Sequence, residues 1–389
     1  VNGLLREYPE AIPKRLNVHQ RSVLGLMGMC RTGLLGYLHR RCLHCQQGEI
    51  RPQSCGDRHC PQCLGMRQAK WADTLSRKLP AVPHFHVVFT LPSELGKVIR
   101  RNKSVMLSLF FDAVAETMST FFSSNWNSQG GFIAVLHTWG QTLNWHPHIH
   151  LLVPGGGFDL ATGKWKASRS NYLFPLKALS PVFRAIFLRR MSEASAAGKI
   201  DWPATLHSEA SRDRLFRTLA STDWVLFIRH TLKHTRSVVR YLARYTSRIG
   251  IHNRRLRQIN EEKGELTFAY TDYRNGGKVP REMTLSLHNF FARFAQHILP
   301  KGLKRIRRYG FLSPASRFRA DIPVPDEEDA PDAAGEFAHQ PCSSCGHSNW
   351  TKPRRFAYPV HQISRNREGD SKAFPSLLTP QIIRGPTSR

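Results

Sequence analysis

"NWHPHIHLLVPGGG", residues 144–157, sets His146, His148 and His150 at every second position and follows them with an apolar run and three glycines. A period of two is the mark of a strand, in which side chains i and i+2 leave by the same face. His148 and His150 would then stand roughly 6–7 Å apart at their Cβ atoms, a spacing at which two imidazoles can grip one cation from one side. His146 joins that face if the strand begins before Pro147. The preceding stretch, "GFIAVLHTWGQTL" (131–143), reads as another strand, joined by a link short enough for an antiparallel hairpin. His137 would lie across that hairpin as a third ligand, with Gln141 on the same face in reserve.

Three readings of these histidines compete. They could cap a solvated sheet face. They could form the His-x-His-x-His array of the histidine-triad nucleotide hydrolases, with His148 attacking phosphorus. Or they could hold a divalent cation that acts as Lewis acid in phosphodiester chemistry, one face of the ion being left open.

The rest of the chain decides between them. Its 389 residues, 41% hydrophobic and 10% aromatic, suit a folded protein of two or three domains. Charge is the outlier: 57 Lys plus Arg against 28 Asp plus Glu, a net +29. Such a surplus points to a polyanionic partner, most simply nucleic acid. It is confined to the body of the chain, since residues 1–320 hold 49 of the basic and 19 of the acidic residues. A small histidine-triad domain has no use for it. No apolar run approaches the roughly 20 residues of a membrane span, and no secretory leader is seen, so a cytoplasmic setting with reduced thiols is expected. The eight cysteines are then metal ligands or packing.

Along the chain, the spacing predicts helix over 1–40, a turn-rich cysteine segment over 41–66, and a buried strand in "HFHVVFTLP" (84–92). A long amphipathic helix is expected over 100–122, a strand over 223–230, and a helix over 237–249. "LTFAYTDY-RNGG" and "VPREMTLS" make a hairpin, and a helix over 288–299 stops at Pro300. From Asp321 the chain turns Pro-rich and acidic, which predicts a flexible linker and a poorly ordered tail. The expected organisation is α+β: residues 1–75 a helical segment with a zinc-ribbon-like DNA-binding domain, 76–320 the catalytic domain, and 321–389 linker and tail.

Cys42, Cys45, Cys60 and Cys63 form two C-x-x-C pairs separated by 14 residues. Each pair makes a tight knuckle aiming two thiolates at one point, and two knuckles close a tetrahedral structural zinc site. Cys55 and His59 lie inside the cluster and could replace a member. Arg51, Arg58 and Arg67 around it could face phosphate. Cys30 reads as helix packing, and Cys342 with Cys345 as half a site in a non-binding tail.

"YLARYTSR" puts Tyr241 and Tyr245 four residues apart, on one face of a helix, continued by Arg248 and flanked by Arg240 and Arg244. A phenol of pKa about 10 is a weak nucleophile until a cation on the scissile phosphate and nearby arginines activate it. Attack would give a 5′-phosphotyrosine and a free 3′-hydroxyl.

Together, "CRTGLLGYLHRRCLHC", "SCGDRHCPQC", "HFHVVFTLP", "LHTWGQTLNWHPHIHLLVPGGG", "YLARYTSRIGI" and "RFAQHILPKGLKRIRRYGFL" resemble, in that order, the transposases of the insertion-sequence ninety-one family. Those are two-tyrosine rolling-circle enzymes among the HUH (His, hydrophobic, His) endonucleases, and the resemblance spans about residues 15–318. It implies an N-terminal zinc-binding domain and a catalytic domain with a central antiparallel, ferredoxin-like sheet flanked by helices. It further implies magnesium or manganese on His148 and His150, and Tyr241 and Tyr245 as nucleophiles that nick and rejoin single-stranded DNA at element ends and target. Trp139 and Trp145 could stack unpaired bases. Arg58, Arg244, Arg248, Lys301, Lys304, Arg305, Arg307 and Arg308 would meet the DNA backbone, in the bacterial cytoplasm at the nucleoid. The alternatives are a replication initiator or relaxase with the same chemistry, or an inactive DNA-binding relative.

Overall fold

The computed structural model describes residues 1–63, 79–168, 173–231, 250–273, 277–318, 321–322 and 341–356. At its centre is an antiparallel sheet whose strands are β3 (His84–Thr90), β4 (Ser128–Trp139), β5 (Trp145–Pro154), β6 (Gly156–Asp159), β7 (Trp165–Ala167) and β8 (Leu226–Thr231). They run in the order β7-β6-β4-β5-β3-β8, and β12 (Ile306–Gly310) adds to β4 beside β6. Two helices connect this sheet: α4 (Lys103–Trp126) links β3 to β4, and α5 (Leu176–Ala196) lies between β7 and β8 in the chain. The short α3 (Gly96–Arg101) precedes α4, and α6 (Glu209–Ser221) precedes β8.

The sheet has two unlike faces because its strands alternate. Phe85, Val87 and Phe89 of β3, Phe132 and Leu136 of β4, and Ile149 and Leu151 of β5 bury one face beneath Phe110, Phe111, Phe183 and Phe187 of the helices. Phe and Leu side chains fully removed from water contribute about 1.5–3 kcal/mol each, so this layer anchors the domain. α4 is apolar and long enough, at 24 residues, to cross a membrane by length and composition. That corrects the expectation that no such run exists. Its buried side chains instead pack onto the sheet in the main core. The other face of the sheet carries the histidines.

A second core does not respect chain order. α1 (Asn2–Glu7) and α2 (Val18–Gly28), the latter closed by an Asn17–Gln20 capping box, contribute Leu4, Leu5, Val23 and Met27. They share that core with Leu266 and Phe268 of β10 and with Phe290, Phe291 and Phe294 of α7 (Leu287–Ala295). β10 (Glu265–Asp272) is the middle strand of a three-stranded sheet between β9 (Leu256–Asn260) and β11 (Val279–Ser286). A division at residue 75 would therefore cut across a core built jointly from residues 1–30 and 251–298.

The third sheet is a ribbon: β1 (Tyr37–Arg41) and β2 (Gly48–Pro52) form a hairpin, and β13 (Arg354–Phe356) pairs antiparallel with β1. The segment expected to be an unstructured tail thus supplies a strand, with Tyr37 opposite Phe356 and His39 opposite Arg354. The part of α2 expected to run on to residue 40 is instead the turn and strand of this ribbon, broken at Gly33 and Gly36, both with positive φ.

Candidate functional site

His137 on β4 sits directly opposite His148 on β5, and Val135 opposite His150. Opposed residues of an antiparallel pair share a face. His137, His148 and His150 accordingly bring one ring nitrogen each within 4.8 Å of one another. The register shifts between His137 and Trp139, a bulge that lets Trp139 turn back and stack on the His137 ring at 4.5 Å. His148 Nδ1 lies 2.8 Å from the carbonyl of His146. A nitrogen facing a carbonyl must carry the proton, so Nε2 of His148 holds the lone pair. Burial pushes the His148 pKa down to about 4, and His150 well below its ordinary value. Both imidazoles are therefore neutral near neutral pH, the form that ligates a metal.

A fourth histidine, His86 of β3, was not singled out by sequence reasoning. Its Nε2 is 2.8 Å from His150 Nδ1, with the rings 10° from parallel. One nitrogen donates and the other accepts, which fixes the His150 ring as an outer hydrogen bond fixes a metal-binding imidazole. The signal was present: "HFH" at 84–86 repeats the alternation of residues 148–150. Among the described residues no carboxylate joins the three imidazoles. Imidazole donors favour first-row transition ions, among which manganese binds most weakly, whereas magnesium prefers oxygen ligands in near-ideal octahedral geometry.

Gln141 is not on the strand. It belongs to the turn between β4 and β5, which is no place for a reserve ligand. Its carbonyl instead accepts from Arg255, that of Thr142 from Arg293 at 2.9 Å, and that of Leu143 from Gln296 at 2.8 Å and His297 at 3.1 Å. Leu143 is fully buried with φ of 59°, a left-handed conformation that an L-leucine adopts only when its surroundings impose it. The turn of the histidine hairpin is thus gripped by Arg255 just before β9, by α7 and by the segment just beyond α7. Trp145, expected to stack a base, lies parallel to the buried His297 ring at 6.0 Å.

The cysteines group differently from their spacing. Cys60 and Cys63 meet Cys30 and Cys55, not Cys42 and Cys45. The Sγ atoms of Cys30 and Cys55 lie 3.5 and 3.6 Å from that of Cys63. Zinc–sulfur bonds of about 2.3 Å in a tetrahedron put sulfurs roughly 3.8 Å apart, so this donor set fits a closed zinc site. The reason for the regrouping is tertiary: α2 delivers Cys30 into the second core beside Cys60 and Cys63, while the β1–β2 hairpin carries Cys42 and Cys45 away toward Cys342 and Cys345. His59 is no ligand. Its Nδ1 donates to Asp57 at 2.9 Å and its Nε2 accepts the Leu299 N–H at 3.0 Å.

Several residues expected on DNA are spent inside the protein. Arg58 donates to the carbonyls of Pro300, at 2.7 Å, and of Leu303, tying the cysteine knuckle to the chain beyond α7. Arg307 lies over the Phe111 ring at 4.2 Å and reaches Ser108 and Asp112. Arg305 is half-buried, and burial lowers its pKa to about 10. Arg51 pairs with Glu49. Lys301 and Lys304 are exposed, and Arg308 stands opposite Ile133 on the histidine face. Arg67, Tyr241, Tyr245, Arg240, Arg244 and Arg248 lie outside the described residues.

Comparison with known proteins covers most of the chain. A family model described as "Putative transposase" matches residues 131–319, and one described as "Transposase zinc-binding domain" matches residues 2–91. The chain is 36% identical over 351 residues to "Putative transposase y4qJ" of Sinorhizobium fredii, covering 85% of this chain and 87% of that protein. It is 30% identical over 289 residues to the "Transposase for insertion sequence element IS801" of Pseudomonas savastanoi pv. phaseolicola, covering 73% and 68%. No solved structure matches it significantly.

Proposed function

The chain belongs to the insertion-sequence ninety-one family of transposases, and from that premise we propose that it nicks and rejoins single-stranded DNA through a 5′-phosphotyrosine intermediate in rolling-circle transposition. The observation that carries this reading is the convergence of His137, His148 and His150, all on one face of the sheet. When bound there, a divalent cation, manganese or magnesium, would supply Lewis-acid polarisation of the scissile phosphate.

The protein's own groups do the rest. Tyr241 or Tyr245 attacks phosphorus through its phenolic oxygen and loses its proton. The bond to the 3′-oxygen breaks, and that oxygen leaves as the 3′-hydroxyl once protonated. The phosphodiester energy is kept in the tyrosyl ester for rejoining, and the second tyrosine is available for the exchange with target DNA. His86 holds His150 in orientation, and Lys304 and Arg308 track the backbone. The core strands support an HUH-type, ferredoxin-like domain: β3, α4, β4, β5, α5 and β8 run in the order strand-helix-strand-strand-helix-strand, with the histidine strand β5 inside the sheet. Its place in the cell is that of its substrate, the bacterial cytoplasm at the nucleoid.

The test is an oligonucleotide carrying the element's end, incubated with manganese. A covalent protein–DNA adduct is expected. It should vanish in the Tyr241→Phe/Tyr245→Phe double variant and in His148→Ala/His150→Ala, while the circular dichroism of both stays that of the parent. Binding without any adduct in the parent protein overturns the reading in favour of a DNA-binding relative without catalysis.

A further inference from the structure

Cys42 and Cys45 are left over when the first cysteine cluster is complete, and they are not alone. Their sulfurs meet those of Cys342 and Cys345, 3.6 Å separating Cys42 from Cys345 and 3.6 Å separating Cys45 from Cys342, with all four within 4.8 Å of one another. Cys342 and Cys345 lie outside both segments matched by the family models.

The two pairs are built alike. In the first, the Cys42 N–H donates to Gln47 O at 2.9 Å and the Gln46 N–H to Cys42 O at 3.0 Å. In the second, the Cys342 N–H donates to His347 O at 2.9 Å and the Gly346 N–H to Cys342 O at 2.8 Å. The residue after each second cysteine is left-handed, Gln46 at φ 60° and Gly346 at φ 75°. Two independent stretches of sequence, far apart in the chain, thus fold into the same tight loop and aim two thiols each at one point. Nothing in hydrophobic packing asks for that coincidence; tetrahedral coordination by four thiolates does.

We propose that Cys42, Cys45, Cys342 and Cys345 bind a second structural zinc, which docks the C-terminal segment onto the N-terminal hairpin as a split zinc ribbon. Around the cluster, the Leu43 N–H donates to Asn349 O at 2.9 Å and the Thr351 N–H to Arg41 O at 2.8 Å, and β13 then continues along β1. Arg40 covers the Trp350 ring at 3.8 Å while holding Glu49 across the hairpin. Each of these contacts is small and partly exposed, and a strand of three residues is too short to stay paired on its own. A metal cross-link between the knuckles supplies the missing stabilisation. His44 and His347 also approach Cys345, but their rings stack face to face at 3.8 Å and 8°. Parallel rings aim their in-plane lone pairs alike and not at one ion, so the four sulfurs are the better donor set.

The full chain is purified under reducing conditions and its metal measured by mass spectrometry. Two zinc equivalents per chain are expected, and one in the Cys342→Ser/Cys345→Ser variant. In that variant amide exchange at Tyr37–Arg41 should accelerate roughly tenfold or more while exchange at His84–Thr90 stays unchanged. One equivalent in the parent protein overturns the proposal. So do two equivalents retained by the variant, unaltered exchange at Tyr37–Arg41 after zinc is lost, or a Cys42–Cys345 disulfide in the parent. Should the variant aggregate, stepwise zinc release from the parent by a thiol reagent decides. Loss of the first equivalent should coincide with tryptic cleavage at Lys352–Arg355, and cleavage there before any zinc is released overturns it.

Discussion

The two cysteine clusters have the same four donors and nearly the same sulfur spacing, yet they sit in opposite surroundings. Cys30, Cys55, Cys60 and Cys63 are sunk in a core shared by α1, α2, β10 and α7. Cys42, Cys45, Cys342 and Cys345 stand on a three-stranded ribbon with Cys45 exposed. Their surroundings give them a different reach. From the inner cluster, Arg58 and His59 hold the backbone at Leu299, Pro300 and Leu303, and one turn earlier Gln296 and His297 hold Leu143 at the tip of the histidine hairpin. The inner cluster therefore braces the histidine hairpin, and the outer one braces the β1–β2 hairpin against residues 342–356.

The largest effect should come from the inner cluster. Cys60→Ser/Cys63→Ser removes two ligands from a buried site whose zinc contributes on the order of 10 kcal/mol, so the protein should lose its cooperative thermal transition and all adduct formation. A variant that keeps both breaks the comparison. Arg58→Ala is next. It deletes charge-assisted bonds to buried carbonyls, at a cost of roughly 2–3 kcal/mol in denaturant unfolding, and it should lower adduct yield by loosening the hairpin while leaving zinc content intact.

Acid should then separate the two regions. His297 is buried and its pKa is pushed down to about 3 by that burial. Below the ordinary histidine pKa the unfolded chain takes up a proton that the folded one refuses. The stability His297 contributes is therefore whole above about pH 6.5 and is lost, at about 1.4 kcal/mol per unit, as pH falls toward its folded value. His84, lowered to about 4 by burial, adds to the same slope. His297→Gln should flatten the profile between those limits; an unchanged slope would show that the brace does not depend on a neutral imidazole. The smallest effect belongs to the outer cluster. Cys342→Ser alone should shift global unfolding by less than about 1 kcal/mol, because the ribbon buries little of the core.

The sequence disclosed the histidine hairpin because alternation is a local property: residues 148 and 150 share a face wherever the strand is put. It disclosed β3, α4 and the β10–β11 hairpin for the same reason. It could not disclose the cysteine partners. A C-x-x-C pair encodes a knuckle but not which partner it meets, and proximity favoured joining residues 42–45 with 60–63, where the fold sends 42–45 to the distant 342–345 and gathers Cys30 and the nearby Cys55 around 60–63. Cys30 looked like helix packing because it does pack, at the end of α2, and ligation needs only one further atom to be aligned. Arg58 read as a DNA contact because charge carries no sign of whether its partner is a phosphate or a buried carbonyl. Tyr241 and Tyr245 were legible as a pair from their spacing of four, and both lie outside the described residues.

β1 is the middle strand of the ribbon, yet the residue facing Cys42 across the cluster, Cys345, comes 303 positions later. During synthesis the β1–β2 hairpin must emerge from the ribosome with one edge bare, and it stays so until residues 342–356 have been made. A copy cut short by a frameshift or stop codon just upstream of residue 342 would keep every strand of the central sheet and still carry that bare edge, with Cys42 and Cys45 lacking their partners. Pairing of β13 with β1 thus marks which copies were translated through residue 356.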